Sequence, residues 1–403
     1  MLHEVCPICR SKGAEQFLLR HHVPVHQNVL FPTAAAARAI PRGTLDMRVC
    51  VVCGFVFNAA FDPTRIDYGP AYENSQDCSP AFNDYLDELI EHLVTKCALT
   101  SGRVVEVGCG KGVFLQKLLG HPKNKSEGVG FDPSYLGKET DGRMRVVKDF
   151  YGPKTAIEAD AIICRHVVEH IPEPLGLLQT VRSTLGDSVA KQVFFETPCV
   201  KWILKNQVPW DFFYEHCSLF TSESLTLALK TTGFSVAAVR HVFNGQYLWA
   251  EGFSDRIDLE RPRQVESTLP SPIQPETVAL ARAYAAAEYS NRNRWEAVLN
   301  RFSSGPIYAW GAGAKGVTFC NLIDPMATLL AGVVDVNPAK QGRFLPGTGH
   351  PIVSPPVAMR TGAVAVLVLN PNYLDEVRAT VRQLGARAAV IDLMQPEELR
   401  CAS

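Results

Sequence analysis

Val104-Val105-Glu106-Val107-Gly108-Cys109-Gly110-Lys111-Gly112 runs directly into VFLQKLL. A short apolar run with one acid near its end reads as a buried strand, the alternating glycines as a tight turn, and the apolar spacing after them as a helix. The same alternation continues outward. Strands are expected at Val104–Val107, Val129–Phe131, Ala161–Cys164 and Val193–Glu196, and helices at Val113–Leu119, Pro174–Leu185 and Ser222–Thr232, with a helical stretch at Ser79–Leu99 ahead of them. Apolar strands separated by amphipathic helices predict a parallel α/β sheet.

A second unit of the same kind follows. Polar, proline-rich Asp255–Pro275 reads as a linker, Pro275–Phe302 as an Ala-rich helix, and Pro306–Trp310, Leu329–Val334, Val364–Leu369 and Ala388–Leu393 as strands of a smaller sheet. Gly311-Ala312-Gly313-Ala314-Lys315-Gly316 has the order GxGxxG, and Asp335 lies near the distance expected of a ribose carboxylate. Taken literally this proposes a dehydrogenase; the alternative is a turn that packs a helix closely on a sheet. The α/β chain then divides into residues 1–75, a turn-rich module, 76–255, a central Rossmann-like domain, and 256–403, the linker, helix and smaller Rossmann-like domain.

Composition bounds the function. The 403 residues, 46% of them hydrophobic, suffice for two or three domains with cores. With 40 Lys+Arg against 41 Asp+Glu, no bulk charge draws the chain to nucleic acid or an anionic membrane. The first 61 residues hold six Lys/Arg and three Asp/Glu, too small a surplus to favour an RNA partner. No apolar run approaches the roughly 20 residues that cross a bilayer. A cytoplasmic enzyme acting on a small molecule is expected, as monomer or homodimer.

Twelve cysteines spread over this length do not form the dense pattern of a disulfide scaffold. Cys6 and Cys9, and Cys50 and Cys53, are CxxC pairs separated by forty residues, a spacing that closes a site of four thiolates around Zn²⁺. His21, His22 and His26 lie between the pairs as substitutes. Four sulfurs leave no open coordination position, so the metal would be structural.

The glycine loop, with Gly108 and Gly110, lets backbone approach a ligand closely, and the helix after it offers free N–H groups. Glu106 beside the loop suits a cationic ligand. Asp132, at the end of the next strand, is placed to accept two ribose hydroxyls, and Asp149 with Phe150 suits an adenine amino group and ring face. His166 and His170 in HVVEHIP follow a buried strand; Pro172 disfavours a helix through them, so they need not share one metal-facing stripe. Trp210-Asp211-Phe212-Phe213-Tyr214-Glu215-His216 sets a phenol, a carboxylate and an imidazole in succession among aromatics, which can supply a tunable acid/base group.

EVGCGKG and GFDPSY resemble the cofactor loop and ribose strand of class I S-adenosylmethionine-dependent methyltransferases. An NAD-type site would instead require GxGxxG and a pyrophosphate partner. In order, the paired cysteines, the YENSQDCSP segment opening with Tyr72, the methyltransferase core, the YEH run and the GAGAKG domain are similar to the zinc-containing sugar C-methyltransferase family. That resemblance implies methylation at C3 of a nucleotide-linked 4-keto-deoxysugar. It implies His216 as base, with Glu215 tuning it, Tyr214 or His170 donating to an enolate, His166 near the methionine moiety, Tyr72 reaching the cofactor, and Lys315 available to a diphosphate. The family's YHEH run falls on Phe213-Tyr214-Glu215-His216, so its tyrosine and first histidine are replaced here. The neighbouring expectation is the same methyl donor with an oxygen or nitrogen acceptor in a natural-product or glycan pathway.

Overall fold

The computed structural model describes residues 5–69, 71–186, 191–254, 274–302 and 304–395; the linker expected between Asp255 and the helix at Pro275 lies almost wholly outside them. Among the described residues no helix is long and apolar enough to cross a membrane.

The N-terminal module is more strand-rich than its turn formers suggest. β1 (Ala14–Pro24) pairs antiparallel with β2 (Arg42–Cys50), and β2 with β3 (Val56–Asn58). Register shifts after Gln16 and Arg20 break the period-two pattern of β1, which hides it from a reading of polarity.

The central sheet begins with β4 (Arg103–Val107), β5 (Glu127–Phe131), β6 (Thr140–Asp141), β7 (Met144–Val147), β8 (Ala161–Arg165) and β9 (Gln192–Pro198). The chain then leaves it: β10 (Ser218–Leu219) pairs with β3, adding a fourth strand to the N-terminal sheet. It returns as the hairpin β11 (Phe234–Val242) and β12 (Tyr247–Ser254), with β12 antiparallel to β9. The order is β11-β12-β9-β8-β4-β5-β7-β6. β5 and β8 flank β4 on opposite sides, so the winding reverses there and a crevice opens beyond the carboxyl end of β4, where the glycine loop lies. The helix expected near Ser79–Leu99 spans Pro80–Thr95; Ser79 caps it by accepting the Phe82 N–H, with Pro80 at its first position.

After the helix Pro275–Arg301 comes a five-stranded parallel sheet of β13 (Ile307–Trp310), β14 (Gly332–Val334), β15 (Ile352–Val353), β16 (Ala365–Val368) and β17 (Ala389–Asp392), ordered β15-β14-β13-β16-β17. Its own switch point is beyond β13, at the second glycine loop.

The units interlock. Phe17 of β1 packs edge-on to Phe212 at 5.6 Å, Phe212 to Tyr284 of the long helix at 5.1 Å, and Trp210 against Trp295 at 5.2 Å. Buried Arg20 donates to the Tyr284 hydroxyl (3.0 Å), Glu288 (2.8 Å) and the Pro209 carbonyl (2.9 Å). The long helix therefore belongs as much to the N-terminal core as to the C-terminal sheet.

Gly316 shows one reason for the second glycine pattern: a Cβ there would sit 2.0 Å from the Gly311 carbonyl oxygen, so the helix packs against its turn through bare backbone. Gly316→Ala is expected to cost about 1–3 kcal/mol by overpacking; thermal unfolding that matches the parent would contradict it.

Candidate functional site

One cavity of about 270 Å³ takes in the second glycine loop and the residues that follow β8. All three units line it: Asn28 and Tyr72 from the N-terminal module, His166, His170, Phe213 and His216 from the centre, and Gly311, Lys315 and Asn370 from the C-terminal domain.

The first glycine loop adjoins it through the Tyr72–Ser79 segment. Gly110 has φ +53°, and a side chain there would meet only Asn74 Oδ1, at 4.0 Å, itself a cavity-lining residue. Gly108, at φ +70°, is held against Val167, where a Cβ would come within 2.2 Å. Asp132 accepts the Gly110 N–H (2.8 Å) through Oδ2 and the Ser134 N–H (2.8 Å) and hydroxyl (2.6 Å) through Oδ1. It thus clamps the loop; Oδ1 already accepts two hydrogen bonds, and Oδ2 keeps lone-pair capacity toward a ribose hydroxyl. Asp149 and Phe150 stand at the surface, Phe150 59% exposed. Glu106 is 2% exposed and its Oε2 has no hydrogen-bond partner. Burial pushes its carboxyl up to about 8, with Arg165 opposing and Asp132 adding to the rise.

His166 has left-handed backbone (φ +53°) and is gripped by two buried carboxylates, Nδ1 by Glu169 (3.2 Å) and Nε2 by Glu196 (3.0 Å). Burial alone would lower its pKa, but Glu196 and Glu169 outweigh that and hold the imidazolium up at about 9. Glu196 also takes the Tyr85 hydroxyl (2.7 Å) and Arg165 Nε (2.5 Å). One charged knot thereby ties helix Pro80–Thr95 to β8 and β9.

His170 Nδ1 meets the Tyr68 hydroxyl at 2.9 Å, and its ring lies edge-on to His216 at 4.8 Å. His216 packs on Phe213 at 4.0 Å, and among the described residues its ring nitrogens have no hydrogen-bond partner. Burial, with His170, His166 and Lys315 adding to it, pushes its pKa well below the ordinary imidazole value. The result is a neutral imidazole open to the cavity.

Three expectations need correction. Glu215 does not touch His216: it is fully buried, with Oε2 accepting the Gln27 N–H (2.7 Å) and Oε1 facing His26 Nδ1 (3.4 Å). Tyr214 is outside the cavity and cannot donate to an enolate there; its hydroxyl accepts the Asp62 N–H (2.9 Å) and its ring fills a notch over Gly43, where a Cβ would lie 2.2 Å away. Lys315 is not a free cation for a diphosphate, because it pairs with Asp211. The cause is common to the first two. The Phe213–His216 turn, closed by the His216 N–H to the Phe213 carbonyl (3.2 Å), sends its two central side chains to the N-terminal module and its two outer ones to the cavity, and sequence adjacency does not reveal which.

Asp335, read as a ribose partner, accepts the Ala312 N–H (2.7 Å) and the Asn337 N–H (2.8 Å), with Lys340 at 3.7 Å. Tyr72 lines the cavity, its hydroxyl 3.1 Å from Asn28 Nδ2. Tyr68, Asn28 and the reciprocal amide pair Gln246–Asn370 (2.6 and 3.1 Å) escaped the sequence reading, since none sits in a motif and each depends on contacts across units.

At the far end of the N-terminal module, the four sulfurs of Cys6, Cys9, Cys50 and Cys53 lie within 4.8 Å of one another. Cys6 Sγ is 3.6 Å from Cys53 Sγ, and Cys9 Sγ is 3.5 Å from Cys50 Sγ. Sulfurs about 2.3 Å from a shared tetrahedral zinc stand about 3.8 Å apart, so the set fits such an ion. His26, a candidate substitute for a cysteine in the sequence, is instead bonded to Glu215 and the Asp67 N–H (3.1 Å).

Residues 82–239 match the family described as a methyltransferase domain, and residues 276–391 the family described as a C-methyltransferase C-terminal domain. The central unit is an S-adenosylmethionine-dependent methyltransferase domain. The ubiquinone biosynthesis O-methyltransferase of Actinobacillus pleuropneumoniae is 28% identical over 133 residues, 30% of this chain and 53% of the relative. That of Histophilus somni is 28% identical over 114 residues, 25% and 46% of the two chains. The chain thus spans about half the length of the curated relatives it matches. Among solved structures, magnesium protoporphyrin IX methyltransferase from Synechocystis PCC 6803 is similar over 43% of this chain and 84% of its own, at 14% identity and a TM-score of 0.36.

The methyltransferase domain fits its cofactor at Glu106. A buried carboxyl with an unpartnered oxygen, next to an open glycine turn, is suited to a ligand bearing sulfonium and ammonium charges. A pKa near 8 leaves Glu106 protonated at pH 7, and a cation beside it lowers that pKa, so S-adenosylmethionine binding at pH 7 is expected to release a proton. Calorimetry in buffers of different ionisation enthalpy reads this directly; no release, or none lost in Glu106→Gln, would contradict it.

Proposed function

We propose that the chain methylates a carbon acceptor, C3 of a nucleotide-linked 4-keto-deoxysugar, with His216 as general base. The observation that carries this reading is the neutral, unpartnered imidazole of His216 in a cavity shared by the methyltransferase domain and the C-methyltransferase C-terminal domain. When bound, S-adenosylmethionine supplies an electrophilic methyl group. Asp132 would hold its ribose and Asp149 with Phe150 its adenine, while His166 and Tyr72 stand toward the methionine end.

His216 takes the proton from the carbon alpha to the ketone, and the C–H electrons pass into the carbonyl to give an enolate. The field of Lys315 and His166 that disfavours a charged His216 favours the developing oxyanion. His170, and not Tyr214, is the neighbouring donor. The enolate carbon would then displace the methyl group from the sulfonium, leaving a neutral thioether, and the imidazolium would return its proton to solvent. An oxygen acceptor is the competing reading, favoured by the curated relatives, which are O-methyltransferases; it needs the same base and no enolate.

His216→Asn is expected to lose about 10²- to 10⁴-fold in turnover while cofactor affinity holds. With a ketosugar and no methyl donor, the parent should also exchange solvent deuterium into the alpha carbon. Near-normal turnover in the mutant places the base elsewhere, and a methyl group found on oxygen or nitrogen of the product removes the enolate.

The four cysteines are read as a structural zinc site. Purified protein should hold close to one zinc per chain and Cys50→Ser should lose both metal and stability; zinc-free protein of full stability and activity would defeat this reading.

A further inference from the structure

Tyr68 lies in no motif, yet it is the only described residue hydrogen-bonded to the His170 ring. We propose that Tyr68 is a positioning residue that fixes His170 as the Nε2–H tautomer, so that His170 donates from Nε2 into the acceptor cavity. The inference rests on the acceptor site proposed above.

Three observations carry it. First, the Tyr68 hydroxyl is 2.9 Å from His170 Nδ1, and the two rings meet edge to face at 5.6 Å and 88°, so the contact is fixed in direction as well as distance. Second, the phenol keeps its proton: burial, then the charges of Glu215, Cys217 and Glu169, hold it well above the ordinary tyrosine value. Among the described residues this hydroxyl has no other hydrogen-bond partner, so Nδ1 is the one acceptor for its proton. An Nδ1–H on His170 would leave the phenol proton unmet. Third, His170 lines the cavity beside His216, the rings 4.8 Å apart and nearly perpendicular. With Nδ1 occupied by Tyr68, the proton of a neutral His170 is on Nε2, the nitrogen free to meet a ligand.

The arrangement matches what enolisation requires. The proton lost and the oxygen that gains charge belong to adjacent carbons of the acceptor, so base and donor must be neighbours. An imidazole in the other tautomer would present a lone pair to the oxyanion and repel it. Tyr68 comes from the N-terminal module, where its ring packs on Tyr72 at 5.1 Å and His26 at 6.2 Å. That module would therefore set a proton position in the reaction, beyond its part in the fold.

The test is ¹⁵N NMR of the full, metal-loaded chain labelled at histidine, with His170 assigned by difference against His170→Gln. The expected result is a protonated Nε2 and a bare Nδ1 in the parent, and a mixture of tautomers in Tyr68→Phe. The same variant should lose about 10-fold or more in kcat with little change in KM, since wrong-tautomer and orienting-partner losses act on the chemical step. A protonated Nδ1 in the parent, or an unchanged tautomer in Tyr68→Phe, overturns the proposal. Should Tyr68→Phe fail to fold, the parent spectrum alone decides. If no ketosugar is turned over, the acceptor reading falls while the tautomer measurement still stands or fails by itself.

Discussion

Glu215 has no exposed surface, and a carboxylate removed from water costs several kcal/mol unless its charge is met. Gln27 and His26 meet it, both from the N-terminal module, with the Tyr72 hydroxyl alongside. This buried contact is the constraint on which the site depends. It pins a loop of the methyltransferase domain to a different unit, and with Tyr214 locked over Gly43 on the same side, Phe213 and His216 are left facing the cavity. The carboxylate beside His216 in sequence thus acts on position, while burial first, with the cations His166 and Lys315 adding to it, keeps His216 neutral.

The N-terminal module consequently helps to shape the cavity. β3 pairs with β10 immediately after His216, and the cysteine set brackets the other end of β2. A metal that holds the two CxxC turns together would stabilise the sheet carrying Glu215's partners. On the opposite wall, the knot of Glu196, Arg165, His166 and Tyr85 fixes the carboxyl ends of β8 and β9, so the cavity is bounded by two charged networks with a neutral imidazole between them.

Much of this was legible in the residues. Parallel strands buried on both faces are continuous apolar runs, which is why β4, β8 and β13 and the helix after the first glycine loop were readable to within a residue or two. β1 was not, because its register shifts break the alternation that marks a half-buried strand; β10, two residues long, exists only through its pairing with β3. The site divided in the same way. Glu106, Asp132 and the cysteine pairs follow from local spacing and strand ends, whereas the directions of Tyr214 and Glu215, the Asp211 partner of Lys315, and Tyr68 are set by contacts between units distant in sequence.

The central claim is that the cavity joins a methyl donor to a carbon made nucleophilic within it. The most direct test is NMR of the product formed when the full chain is given S-adenosylmethionine with a ¹³C-labelled methyl group and a panel of nucleotide-linked ketosugars. The account predicts one labelled methyl coupled to a ring carbon adjacent to the ketone. A labelled methyl on oxygen or nitrogen would contradict it.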